Sequence, residues 1–131
     1  MAPIECAEFQ KTVSEYLIRH QSILDLLSKL VVSSGHVNRA VSKSVTSCGC
    51  LKIKAEKSRF PADAAFSDLK DFLSSHIEGQ LCENCREAII SEMGKNLFYF
   101  TALCNTLGIS LEEVMKKEND KVTTLGRYNL T

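Results

Sequence analysis

The chain has 131 residues, of which 24% are charged and 44% are hydrophobic, so it has the composition of a folded globular domain. Lys and Arg together number 16, as do Asp and Glu, and this neutral balance removes any overall attraction to nucleic acid. The apolar runs are too short to cross a membrane, and the start of the chain has no secretory-signal pattern. We therefore expect one soluble, cytoplasmic domain that contacts neither a membrane nor nucleic acid.

The first half of the chain has apolar residues at three- and four-residue intervals, which predicts helices. The first helical stretch runs from Pro3 to Leu30, with a break or bend at residues 19–22. The apolar phase then continues through Gly35 to Val45, so we expect one helix to pass through that glycine, and the glycine would let another helix approach closely. The segment Cys48-Gly49-Cys50 should end this helix.

The second half predicts a loop or extended arm at residues 52–60 and a short amphipathic helix at residues 68–77. The strongest helical pattern covers residues 82–107, with apolar residues on more than one face, so this helix should be central and mostly buried. The segment Ser110 to Glu113 is a capping box that opens a last helix to about residue 118. No period-two alternation is present. The predicted class is all-α, with one domain at residues 1–118 and a tail at 119–131 that could dock through Leu125, Tyr128 and Leu130.

Four of the six cysteines form two close pairs, a C-x-C and a later C-x-x-C: Cys48, Cys50, Cys82 and Cys85. Zinc prefers four soft ligands in a tetrahedron, and two pairs supply them with little cost of loop closure. The second pair lies where a long helix should begin, and free amides at a helix start favour thiolates. We predict a zinc site here. An iron–sulfur cluster, a redox dithiol or four ordinary thiols remain alternatives, and Cys6 and Cys104 are isolated.

Two further segments carry a family resemblance: Lys29 to Val41, and Glu92 to Val114, which contains Leu-Gly-Ile-Ser-Leu-Glu-Glu near its end. With their flanks, residues 23–45 and 92–127, they resemble the MazG-like nucleoside triphosphate pyrophosphohydrolases, in which K-L-x-E-E-x-G-E and Glu-x-x-Asp motifs bind magnesium. The resemblance implies a bundle of about four to five helices that is completed across subunits in a homodimer or homotetramer.

The carboxylates of that family are largely replaced in this chain. The three glutamates of the first motif fall on Val32, Ser33 and His36, and the aspartate of the second falls on Lys95, while Glu92 is kept. Magnesium needs oxygen ligands, so we expect no magnesium site and a degenerate remnant pocket formed by Ser33, His36, Glu92 and Lys95.

The resulting hypothesis is a non-catalytic, MazG-like helical protein with a structural zinc ion that acts in protein interaction or regulation. One alternative is an active or altered nucleoside triphosphate pyrophosphohydrolase, which would bind nucleotides. A second alternative is an iron–sulfur or dithiol redox protein. The basic run at residues 52–59 is expected to be a solvated face and not a nucleic-acid contact.

Overall fold

Helices dominate the computed structural model, which describes residues 2–125. The four α-helices in these residues are α1 (Cys6–Tyr16), α2 (Ile23–Lys43), α3 (Glu83–Leu107) and α4 (Leu111–Leu125). A π-helical turn at Ser44–Cys48, a 3-10 helix at Phe66–Asp71 and the strands β1 (Leu51–Ile53) and β2 (Ile77–Gly79) complete the elements. The mainly α class is confirmed, whereas the small sheet was not predicted. In residues 2–125, no helix combines the length and apolarity that a membrane crossing requires.

The described residues divide into two compact units. The first, which we call the terminal unit, contains residues 2–37 and 90–125. The second, the central unit, contains residues 38–89. The sequence did not indicate this division, since its predicted boundary lay at residue 118.

The predicted break after the first helix is confirmed, because α1 ends at Tyr16 and α2 begins at Ile23. Within the break, His20 has a positive φ of 61° and its Nδ1 contacts the Asp25 carboxylate near the start of α2. The helix α2 passes through Gly35 as predicted. However, a Cβ added at Gly35 would meet nothing within 4 Å, so the expected close approach of another helix is wrong.

The terminal unit has a small core, centred on Val13, Leu26 and Ala102 with four partly buried neighbours: Phe9, Leu17, Phe98 and Tyr99. The Gln10 side chain joins α1 to the start of α4, because its amide donates to the Ile109 carbonyl at 2.7 Å and accepts from the Leu111 N–H at 2.9 Å. The second bond satisfies an N–H that the helix start would otherwise leave unpaired.

The predicted capping serine is confirmed, since Ser110 Oγ accepts the Glu113 N–H at 3.3 Å. The helix that it opens continues to Leu125, so residues 119–125 are helical and not part of a tail. The rest of the predicted tail, including Tyr128 and Leu130, and the end of the family resemblance at Arg127 lie outside the described residues.

The helix α3 confirms the predicted strongest helix in its bounds but not in its burial. Ile90, Met93 and Leu97 are 48%, 51% and 47% exposed. The expectation of a mostly buried helix is therefore wrong for the single chain, because an apolar stripe predicts a face that avoids water without specifying what covers it.

The central unit contains the sheet, in which β1 and β2 pair antiparallel with Leu51 opposite Gly79 and Ile53 opposite Ile77. The short helix predicted at residues 68–77 is therefore wrong in its second half. The 3-10 helix ends at Asp71, and Ile77 pairs with Ile53 instead of completing a helical face.

Candidate metal centre

The first cysteine pair lies on a tight turn after the π-helical segment. Cys48 is its last residue, and Gly49 follows with φ of 80° and donates its N–H to the Ser44 carbonyl at 2.9 Å. This left-handed conformation is open to glycine at little cost. The glycine thus turns the chain between the two cysteines, and Cys50 Sγ comes within 3.7 Å of the same Ser44 carbonyl oxygen.

The second pair lies at the start of α3. Cys82 immediately precedes the helix, and its carbonyl accepts the Arg86 N–H at 2.9 Å as the first helical bond. Its Sγ accepts the Cys85 N–H at 3.4 Å, the bond that an N-cap side chain makes. The helix start therefore fixes Cys82 by both backbone and side chain, with Cys85 one turn further on.

The sheet brings the two pairs together. Strand β1 starts directly after Cys50, and β2 ends at Gly79 shortly before Cys82. Gly79 has φ of 87°, and a Cβ added there would lie 2.4 Å from the Cys50 carbonyl oxygen. Only glycine permits this approach of the two strands, so Gly79 positions the cysteines without being a ligand itself.

The ligand atoms of the four cysteines, Cys48, Cys50, Cys82 and Cys85, all lie within 4.8 Å of one another. The Sγ atoms of Cys48 and Cys82 are 3.7 Å apart, so they are not disulfide-bonded, and all four thiols are free. Four sulfurs around one zinc ion at about 2.3 Å lie about 3.8 Å from each other, so the observed spacing fits a tetrahedral metal site. The structure thus brings together all four cysteines that the sequence selected.

The cluster does not readily ionise all its thiols without a cation. The Cys85 N–H and then the Cys85 thiol lower the pKa of Cys82 to about 7. The shared hydrogen bond with Cys82, followed by desolvation, raises the pKa of Cys85 to about 12. One thiolate is therefore stabilised beside a thiol that keeps its proton, and a divalent cation would supply the charge needed to ionise the others.

The remaining two cysteines make their contacts within the terminal unit. Cys6 Sγ is 3.0 Å from Met115 Sδ in the contact between α1 and α4, and Cys104 is buried in α3. Both belong to the terminal unit, which agrees with their isolation in the sequence.

Three of the four residues of the predicted remnant pocket, His36, Glu92 and Lys95, lie close together in the terminal unit, whereas Ser33 bonds Asn96 instead. Glu92 lies between two potential cations, with Oε2 at 3.7 Å from His36 Nδ1 and Oε1 at 3.7 Å from Lys95 Nζ. The contact of His36 with Glu92 joins α2 to α3 across a long stretch of chain, and it was the family resemblance that had placed these two residues together.

Asn96 is the residue of this region that sequence reasoning missed. Its amide donates to Ser33 Oγ at 3.0 Å and to Ser34 Oγ at 2.9 Å, and Ser33 is buried. Its position one helical turn after Glu92 is the only sequence signal that could have drawn attention to it. The buried Ser33 hydroxyl is thus hydrogen-bonded, as is typical of a structural contact, whereas Glu92 Oε2 is buried without a hydrogen-bond partner among the described residues.

Comparisons with protein-family models, with curated proteins and with solved structures found no match. The resemblance to the MazG-like enzymes therefore stays a prediction from residues 29–41 and 92–114. The function is inferred from the geometry of the cysteine cluster and of the remnant pocket.

Proposed function

We propose that the protein is a non-catalytic helical protein whose central unit is held together by a structural zinc ion bound to Cys48, Cys50, Cys82 and Cys85. The observation that carries this proposal is the convergence of four free thiols within 4.8 Å. Four thiolates fill a tetrahedral coordination sphere and leave no position for water or substrate, which is typical of structural zinc and not of catalytic zinc.

The scarcity of other stabilising contacts in the central unit supports a structural role. Among its described residues, Leu51 and Ile89 are the only buried large apolar side chains. Its sheet has two strands of three residues each, and isolated strand pairs of this size are marginal in water. A metal that joins the turn after α2 to the start of α3 would provide the missing cross-link.

The remnant pocket supports the absence of catalysis. In a degenerate relative of the MazG-like enzymes, Glu92 would be the one carboxylate kept, and here it faces His36 and Lys95. Magnesium is bound through several oxygen ligands, and a lone carboxylate between basic groups is a poor donor set for it. An active pyrophosphohydrolase therefore has no observation in its favour.

We further propose that a second copy of the chain covers the apolar stripes of the terminal unit. One stripe on α2 consists of Leu24, Leu27 and Val31, which are 74%, 45% and 72% exposed. The stripe on α3 (Ile90, Met93 and Leu97) has the same i, i+3, i+7 spacing, and each is the pattern of a helix–helix seam. The formal net charge of zero means that two copies meet without overall repulsion. Action through protein contacts, beginning with self-association, is the role that these surfaces support.

The zinc proposal is tested by measuring the metal content of protein purified without added metal, together with helix content by circular dichroism before and after treatment with a strong chelator. We expect about one zinc per chain, lost together with ordered structure in residues 38–89. A brown protein with visible absorption would instead show an iron–sulfur cluster. Metal-free protein that keeps the same circular dichroism spectrum would overturn the structural role of zinc.

The assembly proposal is tested by sedimentation of Met93→Glu, with Val122→Glu on α4 as the matched control, since Val122 is 52% exposed and lies outside both stripes. We expect the parent chain and the control to be dimers or tetramers and Met93→Glu to be a monomer, because a charge on an apolar contact is strongly disfavoured. A parent chain that sediments as a monomer at high concentration would disprove self-association.

A further inference from the structure

The central unit contains a cavity of about 710 Å³ that the proposed zinc site does not use. One wall is the segment after β1, including Lys54, Lys57 and Arg59, and the other is the segment that leads into β2, including Phe72 and His76. A volume of this size is in the usual range of small-molecule sites. The basic run that the sequence assigned to a solvated face thus lines a concavity.

Two of the three cations in this cavity form no ion pair with the described residues. Lys54 Nζ lies 3.5 Å from Glu78 Oε1, which also lines the cavity. Lys57 and Arg59 form no ion pair with any residue in the described part of the chain. Ser58 and Ser74, which also line the cavity, add hydroxyl donors. Uncompensated cations beside hydroxyls are the donor set that binds phosphate oxygens.

His76 adds a polar group without an internal partner. Its Nδ1 is buried and has no hydrogen-bond partner among the described residues. Its backbone has φ of 60°, a conformation uncommon for residues other than glycine and concentrated at functional sites. The carbonyl of His76 accepts the Lys54 N–H at 2.7 Å, so the strand ladder continues into the cavity and joins its two walls.

The cavity also has an apolar side. Phe72 is 40% exposed, and its ring packs edge-to-face on Phe60 with centroids 6.4 Å apart. An aromatic face next to cations and hydroxyls suits a ligand with one planar or apolar part and one anionic part.

We propose that this cavity binds a small phosphorylated molecule with its phosphate at Lys57, Arg59 and the serine hydroxyls, and with its planar body against Phe72. A small ligand is favoured over a nucleic-acid strand because Glu56 and Glu78 line the same cavity and the chain has no net charge. These carboxylates would repel a continuous phosphate backbone, whereas a single phosphate can avoid them.

This binding rests on the proposed function in one respect, because the two walls continue from the strands that lead to the two cysteine pairs. Zinc would fix the ends of both strands and hence the distance between the walls. Removal of zinc should therefore abolish binding, while changes in the cavity should leave zinc in place.

The experiment uses the full chain as purified and titrates it calorimetrically with adenosine monophosphate, inorganic phosphate and adenosine, with amide chemical shifts recorded in parallel. Saturable binding of the monophosphate, weaker binding of phosphate and no binding of adenosine are expected, with shifts at residues 54–59 and 72–78. The double variant Lys57→Gln/Arg59→Gln should bind at least about tenfold more weakly, since charge-assisted hydrogen bonds to phosphate are the strong ones. Lys52→Gln on β1, which removes a charge outside the cavity, should change affinity less than about twofold.

Several results would overturn the anion site. One is the absence of saturable binding of either phosphate compound up to about 10 mM, a concentration at which even weak complexes form. Another is a loss of affinity in the Lys52→Gln control equal to that in the double variant. A third is a single-stranded oligonucleotide that binds over the same residues far more tightly than the monophosphate. Zinc content measured on every variant separates the two proposals. If the Lys57→Gln/Arg59→Gln variant loses phosphate binding but keeps its zinc, the anion site lies at these residues. If the parent chain contains no zinc and still binds phosphate, the anion site stands, whereas its metal dependence and the structural zinc are refuted.

Discussion

The substitution Cys82→Ser isolates the contribution of the metal from that of the helix start. Serine is among the preferred N-cap residues, and its hydroxyl can accept the Cys85 N–H that the Cys82 sulfur accepts now. The cap on α3 is therefore retained, whereas one of four soft zinc ligands is replaced by a hard, neutral oxygen that binds zinc poorly. A loss of stability in this variant therefore measures the contribution of the bound metal.

The expected loss of stability can be judged against the other contacts that hold the central unit together. Burial of Leu51 and Ile89 supplies about 1.5–3 kcal/mol each, or about 3–6 kcal/mol together. Structural zinc in small domains is worth about 10–16 kcal/mol at neutral pH. The metal is then the larger contribution, so its loss should unfold residues 38–89 and not merely loosen them.

The assay combines zinc affinity, from competition with a chelator, with hydrogen exchange of the central-unit amides. We expect affinity at least about 100-fold below that of the parent chain, because loss of a direct ligand should exceed the effect of a supporting one. Amides of β1 and β2 should lose their protection. Cys6→Ser is the matched control, since Cys6 lies in the terminal unit against Met115. Unchanged protection of β1 and β2 in zinc-free Cys82→Ser would show that zinc does not hold the two strands in place.

Three further predictions concern the sheet, the remnant pocket and pH. Gly79→Ala should lower the stability of zinc-loaded protein by about 2 kcal/mol or more, because it combines a positive φ with a Cβ 2.4 Å from a carbonyl oxygen. Gly35→Ala, in an open helix position, should raise stability by about 0.4–1 kcal/mol, and equal melting temperatures for the two variants would contradict this. Asn96→Ala should cost about 1–3 kcal/mol in denaturant unfolding, because it removes the bond to the buried Ser33 hydroxyl as well as the bond to the exposed Ser34 hydroxyl. An unchanged midpoint would show that these bonds are not stabilising. The apparent zinc affinity should fall at least about tenfold per pH unit from pH 8 to 6. The reason is that the Cys85 thiol, with its pKa raised to about 12, must release a proton when it binds zinc. A chelator-competition curve that does not change with pH would exclude thiolate ligation.

The sequence predicted the helices well because their signals are local. The apolar phase in α2 was strong enough to predict continuity through Gly35, and Ser110 marked the start of α4 from four residues of sequence. The strands were missed for the opposite reason. A strand of three residues is too short for a period-two pattern, and what defines β1 and β2 is their pairing across more than twenty residues of chain.

The candidate metal site was predictable because ligand spacing is itself a local signal. Two close pairs of cysteines indicate a shared ion wherever the chain can fold back. Nothing local marks Gly79, whose missing side chain matters only because β2 passes against the Cys50 carbonyl. The contacts of Asn96 were likewise beyond the sequence, since they depend on how α2 and α3 approach in the terminal unit, whereas His36 and Glu92 were placed together by the family resemblance alone.

The sheet and the cysteine cluster should form together. Strand pairing places Leu51 opposite Gly79, and this register brings Cys50 towards Cys82. Without a cation the cluster favours one thiolate beside a protonated neighbour, as the opposite pKa shifts of Cys82 and Cys85 indicate, so the metal-free cluster is only partly ionised and nothing bonds its four sulfurs together. A divalent metal would bind all four sulfurs as thiolates and offset two of their four negative charges, which would tie the two strands together in this register. Zinc would therefore act on the sheet register as well as on the two loop ends, and the cavity between the strand extensions would depend on the metal although it contains none of its ligands.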